Sequence, residues 1–589
     1  MRPGFAIYAA SLVAISIVAL GPRPIAAKTS NKSLGSCQGF TSHAEIGELL
    51  QAWEETHPEI ARAGTIGESV EGREIWSLLV SADPDQESME PELRVIGAIH
   101  GDECMSVEVV LETIAWILDG YGDDPLASDL VDGAELLFVP LVNPDGYSGE
   151  EASRRNARGI DLNRNLGFGW LDEGERPFSE PETVALRDVG LERSFTLGLT
   201  YHTVANYVNG AWNYKPHHPL DEELFEAIGQ SYAGDSSYEA VFGWDWYGIN
   251  GDVNDWSLGV CGTFDWTVEL RSDTELEWNV HGDGVAAFLA WALGGAEGLV
   301  TDATSGDPLE ARIHVEPPGE PVFTDPDVGD YHRVLLPGSY DITAVANGYV
   351  PETVEDVVVP DEGTVAVDFA LEPGGEHSAL RVDRMTIPQA IPNYIYQWID
   401  YKNTTRAHDA LGVDDGRFYS LSPGGTITLD LGDGTSVVDG EGADLLVISG
   451  TGSDDPADVL LAEDRDGPFD PAAAGSGDIE IDLGEAGLTA ARFVRIIDTG
   501  TGQFNVENAG YDLDALINLS PEPSADTDAD ADADTDADAD TDSGTETDTA
   551  SEGPPLSGPA AAGCGCANAG EPRLAPLASI FCYAIGVSP

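Results

Sequence analysis

The stretch 93–103 constrains the fold more than any other part of the chain. An apolar run ending in Ala98 and Ile99 leads directly into His100, Gly101, Asp102 and Glu103. Beyond it, Val107, Val110, Leu111, Ile114, Ile117 and Leu118 recur at helical spacing. A buried strand therefore ends where a helix begins, with His100 and Glu103 three residues apart on the turn between them. At the carboxyl end of a sheet such a turn can aim both side chains into one cleft, where open α/β sheets bind ligands. An imidazole nitrogen and a carboxylate oxygen together suit zinc, each reaching it at about 2.0–2.2 Å. A helix-capping Asp102 beside a satisfied histidine accounts for the same residues, so the metal reading needs support from the rest of the chain.

That support begins with the alternation of elements over 41–296. Helical spacing predicts helices near 44–56, 104–118, 183–191, 221–232 and 281–293. Apolar runs predict strands at 75–80, 93–99, 136–142, 196–201 and 263–270. The expected class is α/β, a mixed, mostly parallel sheet with helices on both faces. From 297 to 375 the texture changes to short alternating strands (311–315, 331–336, 340–344 and 364–371) separated by Gly and Pro turns, which predicts a small β-sandwich. Residues 376–519 predict a second β-sandwich, with strands near 426–431, 444–448, 478–483 and 493–497. Residues 520–560 form an Asp/Ala/Thr-rich spacer with no apolar face to bury, expected to be disordered. The last stretch, 561–589, holds Cys564 and Cys566 and an apolar run, broken by Pro576, that falls short of a membrane span.

Lys and Arg number 27 against 106 Asp and Glu, a formal charge of -79 that excludes nucleic acid as a partner. Residues 1–27 join a basic start, an apolar core and a small-residue exit, the pattern of a signal peptide. An exported chain meets oxidising conditions, and Cys37, Cys104 and Cys261 supply material for one disulfide whose pairing the spacing leaves open.

Further chemistry follows the strand ends: Asn143 to Tyr147 as a turn, Arg154, Arg155 and Asn156, then Asp161 to Asn165. Tyr201-His202 closes another apolar strand, and 247–255 and Thr267 to Leu270 come last. In these motifs and their order, residues 41–296 resemble the zinc carboxypeptidase family. The resemblance implies one zinc ion per chain, held by His100, Glu103 and His202 with a water in the fourth position. It implies Glu269 as general base and Arg154 as the group that polarises the scissile carbonyl. It further implies Asn163 and Arg164 as the grip on the substrate's terminal carboxylate, Tyr247 as the tyrosine that closes over it, and Asn254, with Asp252 close by, at the side-chain pocket. Asp102 stands where the pancreatic enzymes carry an arginine, which brings the turn nearer to murein-peptide amidases and the regulatory carboxypeptidases. His217 and His218 match no family ligand and are expected as an exposed loop pair.

Residues 298–373 resemble the transthyretin-like domain that follows the catalytic domain in regulatory carboxypeptidases. The unit at 377–519 resembles a galactose-binding-like sandwich. Its Asp498, Asp512 and Asp514 have the oxygen chemistry for Ca²⁺, although solvated acidic turns account for them better. The tail resembles sorting segments of some Gram-negative surface proteins. The expectation is an exported or surface-held bacterial metallocarboxypeptidase acting on peptides or proteins with a free C-terminus. Its rivals are a murein-peptide amidase of the same fold and an inactive, zinc-retaining adhesion protein.

Overall fold

The structure, a computed structural model, describes residues 36–521 apart from 150, 235, 274–275, 326, 388–404, 413–415, 433, 451–454 and 501–509. The expected signal peptide (1–27) and C-terminal segment (561–589) lie outside the described residues, as does the acidic spacer beyond residue 521.

The first region contains helices α1 (His43–Thr56), α2 (Met105–Gly120), α3 (Pro125–Gly133), α4 (Pro144–Tyr147), α5 (Pro181–Glu192), α6 (Glu222–Ala233), α7 (Gly243–Trp246), α8 (Val253–Trp256) and α9 (Trp278–Leu289). Its strands are β1 (Ala61–Glu68), β2 (Glu74–Val80), β3 (Glu92–Gly97), β4 (Glu135–Val139), β5 (Leu197–Thr203), β6 (Tyr207–Gly210), β7 (Glu239–Phe242) and β8 (Phe264–Leu270). They form one mixed sheet in the order β1-β2-β4-β3-β5-β8-β6-β7. Strands β4, β3, β5 and β8 run parallel at its centre, and β1, β2 and β6 join antiparallel. Every residue of β3, β4 and β8 is buried, as expected of parallel strands covered on both sides.

All five predicted helices and all five predicted strands of this region are present within a few residues. Strands β1, β6 and β7 and helix α3 were not predicted. β1 carries two glycines and is half-buried along most of its length, while β6 and β7 have four residues each, so none offers a clear apolar period. Helix α1 starts with a reciprocal cap: Glu45 N donates to Ser42 Oγ, and the Glu45 carboxylate accepts from Ser42 N.

Cys37 and Cys104 form the disulfide, and Cys261 is buried with a free thiol. The bridge closes 67 residues of chain, worth on the order of 4 kcal/mol in the chain-entropy view. It also fastens the segment before α1 to the residue that follows Glu103.

Residues 295–371 are strand-rich. Ala311–Glu316 pairs with Val322–Phe323 and Gly338–Ala346, which pairs with Glu352–Val359. A second sheet sets Gly295–Asp302 against Asp330–Arg333, Thr364–Ala366 and Phe369–Leu371. Residues 381–518 add a five-stranded and a four-stranded sheet. This last region packs on the first: Arg187 of α5 donates to both carboxylate oxygens of Asp466 at 3.0 Å, and His408 Nε2 lies 2.7 Å from Gly259 O. Among the described residues no helix is long and apolar enough to cross a membrane.

Candidate active site

The cleft lies over the carboxyl ends of β3, β5 and β8. After β3 the chain turns sharply through Ala98 at φ 46, a left-handed conformation that costs an L residue about 1–3 kcal/mol. Two hydrogen bonds hold the turn: Ala98 N donates to Ser106 Oγ at 2.9 Å, and Asn143 N donates to Ala98 O at 3.0 Å. Gly101 follows because a Cβ there would lie 2.3 Å from the backbone of Gly146. The turn thereby throws His100 and Glu103 across the sheet edge towards His202 on β5, which is paired in register with Glu269 on β8.

Three donors converge. His100 Nδ1 lies 2.8 Å from Glu103 Oε1, His202 Nδ1 lies 2.9 Å from Glu103 Oε2, and the two Nδ1 atoms are 3.0 Å apart. Behind them, His100 Nε2 meets Asp161 Oδ1 at 3.2 Å. A carboxylate can only accept, so Asp161 puts the His100 proton on Nε2 and leaves the Nδ1 lone pair facing the lone pairs of Glu103. Lone pairs at that separation repel unless a cation lies between them. The donor set, two nitrogens and one carboxylate with a second carboxylate behind, is that of a catalytic zinc site. The residues fit the metal.

Asp161 was not predicted, although it stands two residues before Asn163. It also accepts from Arg154 Nε at 2.8 Å, which sets Arg154 Nη1 3.1 Å from His100 Nδ1 and 3.6 Å from Glu103. Asn143, fully buried, donates to Ile99 O and Arg154 O and so ties the two loops together. Burial, with a smaller push from Glu103, raises the Glu269 carboxyl above its ordinary value against the pull of His202, His100 and Arg154.

Arg154, Asn163, Arg164, Tyr247 and Glu269 all line one cleft of about 190 Å³ with the three converging residues. Asn163 Oδ1 accepts from Val253 N at 3.0 Å, so its NH₂ is the end left for the cleft. Arg164 Nη1 donates to Asn163 O at 2.6 Å. Tyr247 stands 46% exposed at the rim. Asn254 departs from expectation. It is buried behind the lining, where its amide donates to Asn209 O at 3.1 Å and accepts from Thr267 Oγ1 at 3.0 Å. Asp252, Asn209, Asn213 and Thr267 line the cleft instead.

The amides there have a fixed direction. Asp255 accepts from Asn213 N, Asn213 Nδ2 and Tyr214 N, so Asn213 turns its Oδ1 to Asn209, which donates to it at 2.9 Å. Asn209 Oδ1 then remains as a buried acceptor with no partner. No motif announced this relay.

Other expectations are corrected by burial. His218 is half-buried, stacked 3.9 Å from the Phe242 ring centroid, with Glu222 at 2.8 Å and Asp245 at 3.0 Å. Asp498, Asp512 and Asp514 are buried, not solvated. Asp498 accepts from Gly424, Gly500 and Tyr511 N–H groups, Asp512 from the Ser420 hydroxyl and Asp514 from Gly416 N.

Comparison with known proteins agrees with this geometry. Residues 46–285 match the zinc carboxypeptidase family, and residues 296–372 match the carboxypeptidase regulatory-like domain. Mouse carboxypeptidase D is 31% identical over 365 residues, which cover 55% of this chain and 26% of that protein. Carboxypeptidase SOL1 of Arabidopsis thaliana is 29% identical, covering 58% of this chain and 74% of the relative. The solved carboxypeptidase A of Helicoverpa armigera is 23% identical with a TM-score of 0.37, covering 45% of this chain and 74% of that one. The chain thus spans about a quarter of the length of the carboxypeptidase D it matches. It carries a zinc carboxypeptidase domain at 46–285, followed by a carboxypeptidase regulatory-like domain at 296–372.

Proposed function

We propose that this chain is an exported zinc metallocarboxypeptidase that removes the C-terminal residue of a peptide or protein. The observation that carries the reading is the convergence of His100, Glu103 and His202 in one cleft with Glu269 and two arginines. Zinc held by the three residues would polarise a water and lower its pKa towards about 7. Glu269 accepts the proton of the attacking water and hands it to the leaving amine, so no covalent intermediate is needed. Its raised carboxyl suits a group that must also give the proton back. Arg154, steered by Asp161, faces the developing oxyanion, an interaction often worth about 3–4 kcal/mol. Arg164 and the Asn163 amide receive the terminal carboxylate, and Tyr247 covers it from the rim. The Cys37–Cys104 disulfide supports an oxidising compartment.

The pocket adds a preference. Asp252, Asn209, Asn213 and Thr267 make one wall of the cleft polar, which favours a substrate side chain carrying N–H or O–H donors over an aliphatic one. One peptide panel tests the whole reading, with free-acid and amidated C-termini, murein peptides, and terminal Lys, Gln or Leu. The free acid should exceed the amide by several orders of magnitude in kcat/KM, and Arg164→Ala should shrink that gap. Lys and Gln should exceed Leu, with Asn209→Leu reversing the order. Equal rates on amide and acid would sink the exopeptidase reading.

A further inference from the structure

A second group of carboxylates lies at the opposite end of the sheet. Glu87 and Glu92 come from the loop before β3 and from its first residue. Asp325 and Asp330 come from the regulatory-like domain, beside its strands Val322–Phe323 and Asp330–Arg333. One oxygen each from Glu87, Glu92 and Asp325 lie within 4.8 Å of one another. That is the span between opposite ligands of a Ca²⁺ ion with bonds of about 2.3–2.6 Å. All four residues line one cavity of about 10 Å³, the room of a single water-sized sphere.

Acidic side chains gather on many surfaces without a ligand, but two details separate this group. Glu92 is 7% and Asp330 6% exposed, and each keeps one carboxylate oxygen, Oε2 and Oδ1, with no hydrogen-bond partner. Charge is also unbalanced. Arg193 pairs with Glu92, reaches Glu135 at 3.0 Å and stands 3.8 Å from Glu87. His332 Nε2 lies 3.0 Å from Asp330 Oδ2 and from Met89 O. One guanidinium and one imidazole thus face Glu87, Glu90, Glu92, Glu135, Asp325 and Asp330. Glu135 is satisfied by Ser88 and Arg193, and Asp325 Oδ1 caps Asp327 N and Val328 N. The unsatisfied charge therefore falls on the remaining oxygens around the cavity. Burial, with like charges around them, raises the Glu87 and Glu92 carboxyls against the pull of Arg193, a direction a bound cation would reverse.

We propose that Glu87, Glu92 and Asp325, with Asp330 in the same cavity, form a Ca²⁺ site that clamps the catalytic domain to the regulatory-like domain. The three donors that lie within 4.8 Å of one another are all hard carboxylate oxygens, a set that suits Ca²⁺ better than zinc, and His332 beside them has its Nε2 turned to Asp330. Calcium tolerates an irregular shell built from two packed domains better than Mg²⁺, which demands an octahedron.

The test is thermal unfolding of the full chain at fixed zinc, after removal of alkaline earths, with CaCl₂ or MgCl₂ added. Ca²⁺ at saturation should raise Tm by roughly 5 °C or more, and Mg²⁺ by much less. Glu92→Gln with Asp325→Asn should abolish the rise and remove one bound Ca²⁺ per chain in equilibrium dialysis. The exposed control Glu352→Gln should change neither, which separates this site from loose binding to so acidic a chain. If the double variant fails to fold, Asp330→Asn, which keeps the side-chain shape, should reduce the rise. No Ca²⁺-dependent rise in the wild type, an equal rise with Mg²⁺, or an undiminished rise in folded variants would overturn the site. None of these readouts involves hydrolysis, so the proposal stands or falls apart from the catalytic one.

Discussion

Strands β3, β5 and β8 carry buried ionisable groups at both ends, and the two ends treat them differently. Towards the amino end, Arg94 of β3 and Asp265 of β8 reach across β5 to pair, with Arg94 Nη2 also donating to Ser257 Oγ at 2.8 Å. Both side chains are at most 1% exposed. They meet because Gly198 lies between them in register, where a Cβ would come within 2.4 Å of the Asp265 carboxylate. At the carboxyl end, His202 and Glu269 occupy neighbouring positions, His202 turns its Nδ1 to Glu103 on another loop, and both face a cleft. The lesson is that burial alone does not mark a site. A charge closed on its opposite is structure, and charges held apart by second partners around shared space are chemistry.

The sharpest way to break that contrast is to remove a converging ligand. His202→Ala should lose most of the zinc and with it the peptidase activity, read by elemental analysis and hydrolysis together. Stoichiometric zinc in this variant would dissolve the ligand set. Glu269→Gln comes next: kcat should fall by at least about 10²-fold while zinc stays, because the amide keeps the shape but cannot take a proton.

The amino end should respond in the other currency. Asp265→Asn leaves Arg94 buried without its counter-charge and should cost about 3–5 kcal/mol in chemical denaturation, with kcat of the folded fraction unchanged. A kcat loss here as large as that of Glu269→Gln would erase the distinction between the two ends.

His281 sharpens the comparison from outside it. It is buried among Tyr232 and Tyr238, with their hydroxyls at 3.0 and 3.3 Å, and burial lowers its pKa to about 4. A depressed imidazole favours the folded state when neutral, so its contribution is complete above the unfolded value near 6.5. It is lost as pH falls from there through about 4. The wild type should therefore lose on the order of 2–3 kcal/mol of stability across that window, and His281→Gln should flatten the slope. An identical slope in the variant would assign the acid sensitivity elsewhere.

Much of this was legible locally. The period of α2 and the apolar run of β3 place His100 and Glu103 on one turn without any long-range information. The same holds for His202 and Glu269 at the ends of apolar strands. Asp161 was visible in its motif but silent in role, because a carboxylate's partner depends on what approaches it from another loop. Asn254 shows the same limit: the family resemblance put it at the side-chain pocket, while the turn of α8 placed it one layer behind the lining. Strand β1 escaped notice because two glycines and an edge position leave it no apolar face.

The amino-acid sequence by itself determined the strand–turn–helix that carries His100 and Glu103 and the order of the α/β elements, because hydrophobic period and turn chemistry act over a few residues. Only the tertiary structure decided that Cys37 takes Cys104 and leaves Cys261 free, and that Asp255 fixes the direction of the Asn213 and Asn209 amides. It alone brought Glu92 against Asp325. Each of these depends on which side chains meet across more than 40 residues of chain, and on which buried lone pairs are left without a donor, quantities that no local pattern encodes.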